Sequence, residues 1–216
     1  GAFKAGVKNL IFFGSSCIYP KNINKPIKED MLLSGKLEYT NEPYAIAKIA
    51  GIKMCENYNK QFKTNYKCLM PCNSYGPNDN YDLKNSHFIA ALIKKIYLAK
   101  KNKRNFIEIW GSGKPKREII FVDDIADACL FFMKRKTRHS LINIGTGRDA
   151  TIEDYAKKII NYFNLNLKII KNRKMPDGIK RKLLNIKIAK SYGWKPKINF
   201  AKVLDLTVKA FLKSNL

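Results

Sequence analysis

A tyrosine and a lysine four residues apart, Tyr44 and Lys48, are a pair whose residue types and spacing could support proton transfer. They lie in the segment TNEPYAIAKIA, in which Thr40 or Asn41 could cap a helix and Pro43 fits its first turn. Residues i and i+4 lie on one face of a helix, so both side chains should point the same way. An ammonium group beside a phenol favours its ionised form. An ordinary amphipathic helix would show the same spacing, so the pair alone leaves both interpretations open.

Five cysteines are spread along the chain, and none of them forms a Cys-x-x-Cys pair: Cys17, Cys55, Cys68, Cys72 and Cys129. No such pair accompanies either of the two histidines in the sequence. We therefore predict neither a disulfide framework nor a zinc site or other metal site. Most of the thiols should be small buried hydrophobic groups. Cys17 is set apart because it follows the carboxyl end of a predicted strand.

The formal net charge of the chain is +25, from 42 basic and 17 acidic residues. Clustered basic residues can neutralise phosphates, which would suit a nucleic-acid-binding protein. Here the lysines are scattered over every segment, with a tight cluster at residues 100–104. We therefore predict no nucleic-acid partner, and interpret the charge as a compositional drift that attracts anionic substrates such as nucleotide diphosphates.

Apolar stretches in this chain are short, as at residues 10–13. Neither a membrane span nor the core of a signal peptide is present in the 216 residues. These features predict a cytoplasmic protein with no membrane partner.

Predicted strands alternate with predicted helices along the whole chain. The apolar run VKNLIFFG reads as a strand buried on both faces of a parallel sheet. TIED, which begins at Thr151, resembles a capping box that starts a helix. The predicted strands cover residues 7–14, 66–71, 106–110, 119–122, 141–144 and 167–170. The predicted helices cover residues 43–62, 86–98, 123–134, 186–192 and 200–211, with one more beginning at 151. This alternation predicts an α/β fold with a mainly parallel sheet.

A glycine-rich dinucleotide motif between a strand and a helix is missing from the sequence. GSGKPK and GTGRDA each contain two glycines, lack the third of G-x-G-x-x-G, and fall late in the chain. If the sheet is doubly wound, the chain begins in its middle.

Six segments occur together and in order, and together they resemble one enzyme family. They are GSSCIYP at 14–20, NEPYAIAKIAGIK at 41–53, MPCNSYGPNDN at 70–80, NSHFIAAL at 85–92, WGSGKPKREIIFVDD at 110–124 and NIGTG at 143–147. The set resembles the GDP-L-fucose synthases, which are extended short-chain dehydrogenases/reductases of the NAD-dependent epimerase/dehydratase family. The resemblance covers nearly all of residues 6–212.

The resemblance implies two kinds of chemistry on GDP-4-keto-6-deoxy-D-mannose. In such enzymes the 4-keto group acidifies the protons on C3 and C5, which are removed from one face and returned to the other. Cys17 resembles the family's cysteine acid/base and His87 its partner, and both groups titrate near neutrality. Without their flanking motifs, Cys17 would be interpreted as a buried structural thiol, and His87 as a surface or helix-capping histidine.

The second implied step is NADPH-dependent reduction at C4. In this family Tyr44 would be the proton donor, and Lys48 would tune it and hold the nicotinamide ribose. Ser15 would bond the reacting carbonyl, although it could equally be a turn residue after the strand. The implied cofactor is NADPH/NADP; NADH stays an alternative, because the residues that discriminate between them follow a strand absent from these residues.

Binding residues also follow from the resemblance. Those matching the cofactor-binding segments are Gly14, Ser15, Ser16, Tyr44, Lys48, Pro71, Asn73, Ser74 and His87. Those matching positions that hold the GDP-sugar are Lys95, Trp110, Arg117 and Asp177, where a basic group suits the diphosphate and a ring can pack on base or sugar. Lys95 could equally be a solvated helix lysine, and Asp177 a plain turn residue.

Family members carry roughly another hundred residues before the start of this chain, which implies that the first βαβ half of a Rossmann-type fold is missing. We predict that residues 1–75 and 118–150 form the remainder of the NADP-binding domain. Residues 76–117 and 151–216 should form a small substrate-binding lobe. In this interpretation the strand at 7–13 has an open edge, the isolated chain reduces little substrate, and the full-length family forms homodimers. The alternatives are another nucleotide-sugar epimerase or dehydratase, or a non-catalytic GDP-sugar-binding fragment.

Overall fold

The computed structural model describes residues 1–83 and 85–214, and strands alternate with helices along them. The strands are β1 (Asn9–Phe13), β2 (Asn65–Pro71), β3 (Asn73–Tyr75), β4 (Phe106–Trp110), β5 (Lys116–Phe121), β6 (Leu141–Ile144), β7 (Asp149–Thr151), β8 (Lys168–Asn172) and β9 (Arg181–Lys182). The helices are α1 (Glu42–Phe62), α2 (Phe88–Lys101), α3 (Val122–Met133), α4 (Ile152–Tyr162), α5 (Lys187–Ser191) and α6 (Phe200–Ser214). The predicted α/β class is confirmed.

The chain folds into two units, each made of three segments. Unit 1 comprises Gly1–Asn73, Glu118–Arg148 and Lys182–Lys197, and unit 2 comprises Ser74–Arg117, Asp149–Arg181 and the segment from Ile198 on. Residues 182–197 were predicted to lie in the substrate-binding lobe, but they belong to unit 1. The physical reason is a set of backbone bonds, in which Ile27 N–H donates to Leu183 and Asn185 N–H donates to Ile27.

The core of unit 1 contains a parallel three-stranded sheet in the order β1–β2–β6. In the register, Phe12 lies opposite Cys68, which lies opposite Leu141 on the other side. The central strand β2 is almost fully buried, as expected for a parallel strand covered on both faces. Strand β1 is only partly buried, and among the described residues it pairs with β2 alone.

Helix α1 crosses β1 at a close approach that a glycine makes possible. A Cβ atom at Gly51 would collide with the ring of Phe12. The helix can therefore lie directly on the ring, which brings its amino-terminal half close to the carboxyl end of β1. Ile49 and Ile52 on the same helix are buried in the core of unit 1.

The start of α1 differs from the capping pattern predicted for it. Asn41 is the N-cap residue, but its side chain makes no capping hydrogen bond, and its φ and ψ of −114° and 2° lie outside the extended region that N-cap residues adopt. A 3₁₀ turn at Tyr39–Asn41 leads directly into the helix and causes this conformation. Pro43 lies in the first turn, as predicted.

Unit 1 is closed by an apolar core that includes residues from its third segment. Trp194 is 2% exposed, its ring packs near Phe132, and its indole N–H donates to Asp127 at 3.0 Å. Burying a large apolar side chain of this kind stabilises a fold by about 1.5–3 kcal/mol. The segment from 182 to 197 is therefore an integral part of this core.

Unit 2 contains the parallel pair β4–β8 and helices α2, α4 and α6. Helix α4 begins with the predicted capping box: Thr151 Oγ accepts from Asp154 N–H, and the Asp154 carboxylate accepts from Thr151 N–H. Tyr155 of this helix packs edge-on against Phe200 of α6 and near Phe88 of α2. These ring contacts join the three helices.

Three of the short strands were not predicted from the sequence. They are β3, β7 and β9, which have three, three and two residues. All four of β3, β5, β7 and β9 lie where the chain passes from one unit to the other. No helix among the described residues is long and apolar enough to cross a membrane.

Candidate active site

The loop after β1 positions Ser15 and Cys17. Gly14 is buried beneath it, and a Cβ atom there would collide with the side chain of Met70, so a larger residue would displace the loop. Ser15 is the N-cap of a 3₁₀ turn, and its hydroxyl accepts a hydrogen bond from Cys17 N–H at 3.2 Å. This cap fixes the backbone direction at the cysteine. Ser15 therefore has the turn role that was one of its two interpretations, and it is partly exposed.

Tyr44 and Lys48 lie on the same side of α1, as their spacing predicts. Lys48 Nζ is 5.7 Å from the centre of the Tyr44 ring and 5.2 Å from that of Phe12. The same Nζ donates a hydrogen bond to the carbonyl oxygen of Phe13 at 2.8 Å. Lys48 therefore links the tyrosine-bearing helix to the end of the strand that leads to Ser15 and Cys17. Tyr44 is 49% exposed, so its phenol is open to a ligand.

Residues at this strand end fit the reactive end of a dinucleotide cofactor. An ammonium group has three N–H donors, and the bond to Phe13 uses one of them, which leaves donors for ribose hydroxyls. The hydroxyls of Ser15 and Tyr44 add further polar groups. A glycine-rich turn that would bind a pyrophosphate is not found in the 216 residues. The fit is thus limited to the nicotinamide end.

Two of the other predicted cofactor residues are engaged in the structure of unit 1. Asn73 Nδ2 donates to the backbone oxygen of Glu118 at 3.1 Å, and Ser16 is buried. Pro71 ends β2, beside Ile144 of β6. Ser74 begins the first segment of unit 2. Gly14 and Pro71 therefore lie at the carboxyl ends of the neighbouring parallel strands β1 and β2, as predicted, and Asn73 begins β3.

The Cys17 thiol has a lysine beside it that sequence reasoning missed. Lys182 Nζ donates to Cys17 Sγ at 3.2 Å. Burial raises the pKa of the thiol, but the charge of Lys182 and hydrogen bonds with Ser15 and Lys182 lower it by more, so the pKa lies below that of an ordinary thiol. In a chain with 42 basic residues, a single lysine carries no signal of such a contact.

The other cysteines have the environments expected of structural thiols. Cys55, Cys68 and Cys72 are buried, and Cys129 is half-buried; all five thiols are free. Burial raises the pKa of Cys72 and that of Cys129. Cys17 is therefore distinguished from Cys129 by its cationic neighbour, and from Cys72 by the hydrogen bond that Lys182 donates to its sulfur.

Glu118 is a second residue that sequence reasoning missed. Its carboxylate accepts hydrogen bonds from Gly147 N–H at 2.6 Å and Leu184 N–H at 2.7 Å. Burial raises its pKa to about 7, although these backbone bonds and one from Thr146 oppose the shift. Gly145 has no room for a Cβ atom beside this carboxylate. Glu118 thus joins the loop after β6 to the strand end that carries Lys182.

His87 lies in unit 2, at the N-cap position of α2. Its side chain is exposed and makes no capping hydrogen bond, so the helix-capping interpretation of this residue is not supported. Burial raises the pKa of the nearby Asp79, and Asn80 N–H and the charge of His87 act in the opposite direction. Asp79 is therefore the acidic neighbour of this histidine.

Trp110 and Lys95 form a pair on unit 2. Lys95 Nζ lies 5.7 Å from the centre of the Trp110 ring and donates to the backbone oxygen of Glu108 at 3.0 Å. The indole is 52% exposed. Lys95 is thus fixed over an aromatic face, which differs from a freely solvated helix lysine.

Arg117 and Asp177 are also neighbours in unit 2. Arg117 Nη1 donates to the backbone oxygens of Lys116 at 2.9 Å and Ile179 at 2.6 Å. Both the N–H and the hydroxyl of Ser112 donate to Asp177, and these bonds lower the pKa of that carboxyl group. Gly111 leaves room for the Asp177 side chain. Asp177 therefore links its own loop to the loop that contains Ser112, which a simple turn residue would not do.

Comparisons with known proteins show which family the chain resembles. The model of the NAD dependent epimerase/dehydratase family matches residues 1–145. The GDP-L-fucose synthase of Sinorhizobium fredii is 42% identical, over 99% of this chain and 68% of that protein. The GDP-L-fucose synthase of Escherichia coli is also 42% identical, over 99% and 69%. The putative GDP-L-fucose synthase 2 of Arabidopsis thaliana is 44% identical, over 99% and 65%.

Solved structures show the same likeness. A GDP-L-fucose synthetase from Naegleria fowleri bound to NADP superposes with a TM-score of 0.91 at 26% identity, over 99% of this chain and 69% of that one. A GDP-6-OMe-4-keto-L-xylo-heptose reductase from Campylobacter jejuni gives 0.89 at 32% identity, over 99% and 73%. The chain thus spans about two thirds of the length of these relatives. The extent of the family match, together with the identity to these synthases, shows that the chain belongs to the NAD dependent epimerase/dehydratase family.

Proposed function

We propose that the protein to which these residues belong converts GDP-4-keto-6-deoxy-D-mannose to GDP-L-fucose, by epimerisation at C3 and C5 and then reduction at C4. The names of the relatives in Sinorhizobium fredii and Escherichia coli support GDP-L-fucose as the product. The observation that carries the proposal is the bond from Lys48 Nζ to the Phe13 carbonyl. It joins a candidate proton donor, Tyr44, to the strand end that presents Ser15 and Cys17.

In the epimerisation, the keto group of the sugar lets a neighbouring carbon lose a proton. The Cys17 thiolate takes that proton, and the electron pair of the C–H bond moves toward the keto oxygen to form an enolate. His87 is proposed as the partner that returns a proton to the opposite face of the same carbon. The lowered pKa of Cys17 suits the thiolate form that this step needs.

When bound, NADPH would supply the hydride for the reduction at C4. Tyr44 is proposed to give its phenolic proton to the C4 oxygen, and Lys48, whose Nζ lies 5.7 Å from the centre of the ring, is proposed to position the phenol. The Ser15 hydroxyl is proposed to bond the same oxygen and to orient it. Lys48, Ser15, Pro71 and Asn73 would hold the nicotinamide end, with NADH as the alternative cofactor. A GDP-mannoheptose C4 reductase from Campylobacter jejuni, 32% identical, was solved with NADP bound.

For the nucleotide sugar, we propose Lys95, Trp110, Arg117 and Asp177 as binding residues. Trp110 offers an exposed ring with a lysine fixed at its face. Arg117 spends one nitrogen on two carbonyl oxygens, and a guanidinium has five N–H donors, so others are left for a diphosphate. The fixed geometry of these loops would limit the entropy lost on binding.

For the assembly, we propose a homodimer formed through α1. Several apolar side chains of this helix other than the candidate proton donor are exposed, namely Ile46, Met54 and Phe62. Sedimentation equilibrium checks this proposal: a monomer at all concentrations would contradict it.

NADPH oxidation in the presence of GDP-4-keto-6-deoxy-D-mannose tests the proposed reaction. It should be measured on the 216-residue chain and on a version extended with the part of the Escherichia coli relative that the chain does not align with. We expect turnover in the extended version and little in the shorter chain, because a pyrophosphate-binding turn is not found in these residues. Absence of turnover in a folded extended protein would contradict the proposal.

A second candidate substrate is another GDP-4-keto sugar. It is favoured by the Campylobacter jejuni heptose reductase at a TM-score of 0.89, and by the 38% identical GDP-L-colitose synthase of Yersinia pseudotuberculosis. Mass and configuration of the product distinguish the candidates. A heptose or colitose product formed faster than GDP-L-fucose would favour the second candidate.

A further inference from the structure

Lys182 contacts the candidate acid/base thiol, yet the proposed reaction gives this lysine no role. Its Nζ lies 3.2 Å from Cys17 Sγ, and 165 positions separate the two residues in sequence. Both residues belong to unit 1. The contact is made by a side chain of β9 reaching the 3₁₀ turn after β1.

The charge of Lys182 has no carboxylate bonded to it among the described residues. None of the ion pairs found there includes this lysine. Glu118, the acid on β5, spends both oxygens on the N–H groups of Gly147 and Leu184. The Cys72 thiol is influenced by both Glu118 and Lys182, but burial raises its pKa. The hydrogen bond found for the Lys182 ammonium group is the one to the sulfur of Cys17.

The segment after Lys182 is held in place by hydrogen bonds that its backbone makes with Glu118 and with Ile27. Leu184 N–H donates to the buried Glu118 carboxylate, and Ile27 N–H donates to the Leu183 oxygen at 2.8 Å. Asn185 N–H donates in turn to Ile27 at 2.7 Å. Because its neighbours are fixed in this way, the lysine reaches the thiol from a rigid strand end. Such support is what a preorganised charge pair needs.

We propose that Lys182 is a positioning residue that holds Cys17 as a thiolate in the resting protein, ready to take a proton from the substrate. When the thiolate takes a proton, its lone pair forms the S–H bond and the C–H bond of the sugar breaks toward the keto oxygen. His87 then gives a proton to the opposite face of the same carbon. Release of the thiol proton to solvent restores the thiolate, and His87 regains a proton from solvent, so the step needs no further reactant. The catalytic consequence rests on the proposed function, whereas the ion pair itself does not.

Alkylation of the native chain by trace iodoacetamide over a range of pH tests the pair without substrate or cofactor. Peptide mass spectrometry reads Cys17 and Cys129 separately in one sample. Cys129 is the internal reference, because its pKa is raised by burial. We expect the Cys17 midpoint to lie below that of Cys129 and below that of an ordinary thiol. A Cys17 midpoint at or above that of Cys129 would overturn the proposal, and this comparison needs no variant.

The decisive variant is Lys182→Met, which keeps the length of the side chain and removes the charge. Burial, which raises the thiol pKa, remains, so the Cys17 midpoint should rise by at least about one pH unit, a tenfold loss of thiolate near neutrality. Lys182→Arg should restore a low midpoint, and Lys190→Met, at an exposed lysine of α5, should leave it unchanged. An unchanged midpoint in Lys182→Met would overturn the proposal.

Solvent deuterium exchange at C3 and C5 of GDP-4-keto-6-deoxy-D-mannose tests the catalytic consequence. The pH profile of exchange should move upward in Lys182→Met by the same amount as the alkylation midpoint. A shifted midpoint with an unshifted exchange profile would overturn the role of Lys182 in catalysis. If the unmodified protein shows no exchange, the proposed function fails, and the alkylation result still decides whether the ion pair exists.

Discussion

At the scale of single residues, Tyr44 and Cys17 are held by different lysines. Lys48 lies beside the Tyr44 ring and bonds the end of β1, whereas Lys182 bonds the Cys17 sulfur from β9. The two candidate steps therefore have separate cations. This separation predicts that each step can be damaged without the other.

Tyr44→Phe should slow C4 reduction by roughly 10²–10⁴-fold, the usual worth of a general acid. Exchange of solvent deuterium at C3 and C5 should persist, because the Cys17–Lys182 contact does not involve the phenol. NADPH oxidation and exchange are measured on the same preparation of the extended version, in which turnover is expected. Tyr39→Phe, at a side chain that is 80% exposed, is the matched control. An equal loss of both activities would show that the two steps share the tyrosine.

How far the sequence could predict these residues depends on whether their contacts are local. Tyr44 and Lys48 are four residues apart, so helical geometry alone places them on one face. The Lys182 contact joins residues 165 positions apart, and no periodicity encodes it. Cys17 was identifiable only through its flanking segment. The roles of Ser15 and His87 remain predictions.

At the scale of elements, the close packing of α1 on β1 is what brings Lys48 to the Phe13 carbonyl. Gly51 permits it, because a side chain there would meet the Phe12 ring. Long elements of this kind were predicted to within a few residues, since apolar runs and helical periodicity extend over many positions. Strands β3, β7 and β9 were missed because two or three residues carry no periodic signal.

Gly51→Leu should lower the free energy of unfolding by about 1–3 kcal/mol, the typical result of forcing a side chain into a packed contact. It should also weaken reduction, because the helix that carries Lys48 must move away from β1. Urea unfolding gives the stability. Ala50→Leu places the same side chain on the exposed face of the helix and should be nearly neutral. Equal effects of both variants would show that the approach at Gly51 is not tight.

Glu118 should give the stability a pH dependence of unusual sign. Its pKa rises from 4.5 to about 7 on folding, so within this window the folded chain holds a proton that the unfolded chain has lost. The stabilisation is complete below the unfolded pKa and declines as the pH rises through the folded pKa. Relative to Glu118→Gln, the native chain should therefore lose up to about 3 kcal/mol between these pH values.

Urea unfolding across this pH range measures the effect of Glu118. Glu153→Gln is a control of opposite sign, because bonds with Lys171 and Lys157 lower the pKa of Glu153. The native chain should gain stability over that variant as the pH rises through the acidic range. A constant difference between the native chain and Glu118→Gln would contradict the buried carboxyl shift.

At the scale of the whole molecule, the net charge of +25 must act against compaction. Raising the ionic strength from about 0.01 M to about 0.15 M shortens the Debye length from about 30 Å to about 8 Å. We expect the Tm to rise over this range, because repulsion among the many lysines is screened more than the few local ion pairs are. Sodium and potassium chloride should act alike. A falling Tm would show that the local pairs dominate.

One segment belongs to a different unit from the segments that precede it in the chain, and the sequence alone could not predict this. Residues 182–197 follow the segments of unit 2, but their bonds to Ile27 and Glu118 place them in unit 1. Long-range backbone pairing of this kind depends on the complete fold. The domain prediction therefore differed from the structure at that segment.

The Cys17–Lys182 contact can form only late in the synthesis of the chain. A ribosome adding roughly 5–20 residues per second needs on the order of 10–30 s to pass from the cysteine to the lysine 165 positions later. Throughout that interval the nascent chain carries Cys17 without its cationic neighbour. The nucleophilic sulfur is thus assembled last, once nearly all of unit 1 has emerged, and a nascent chain stalled before residue 182 would display an ordinary thiol.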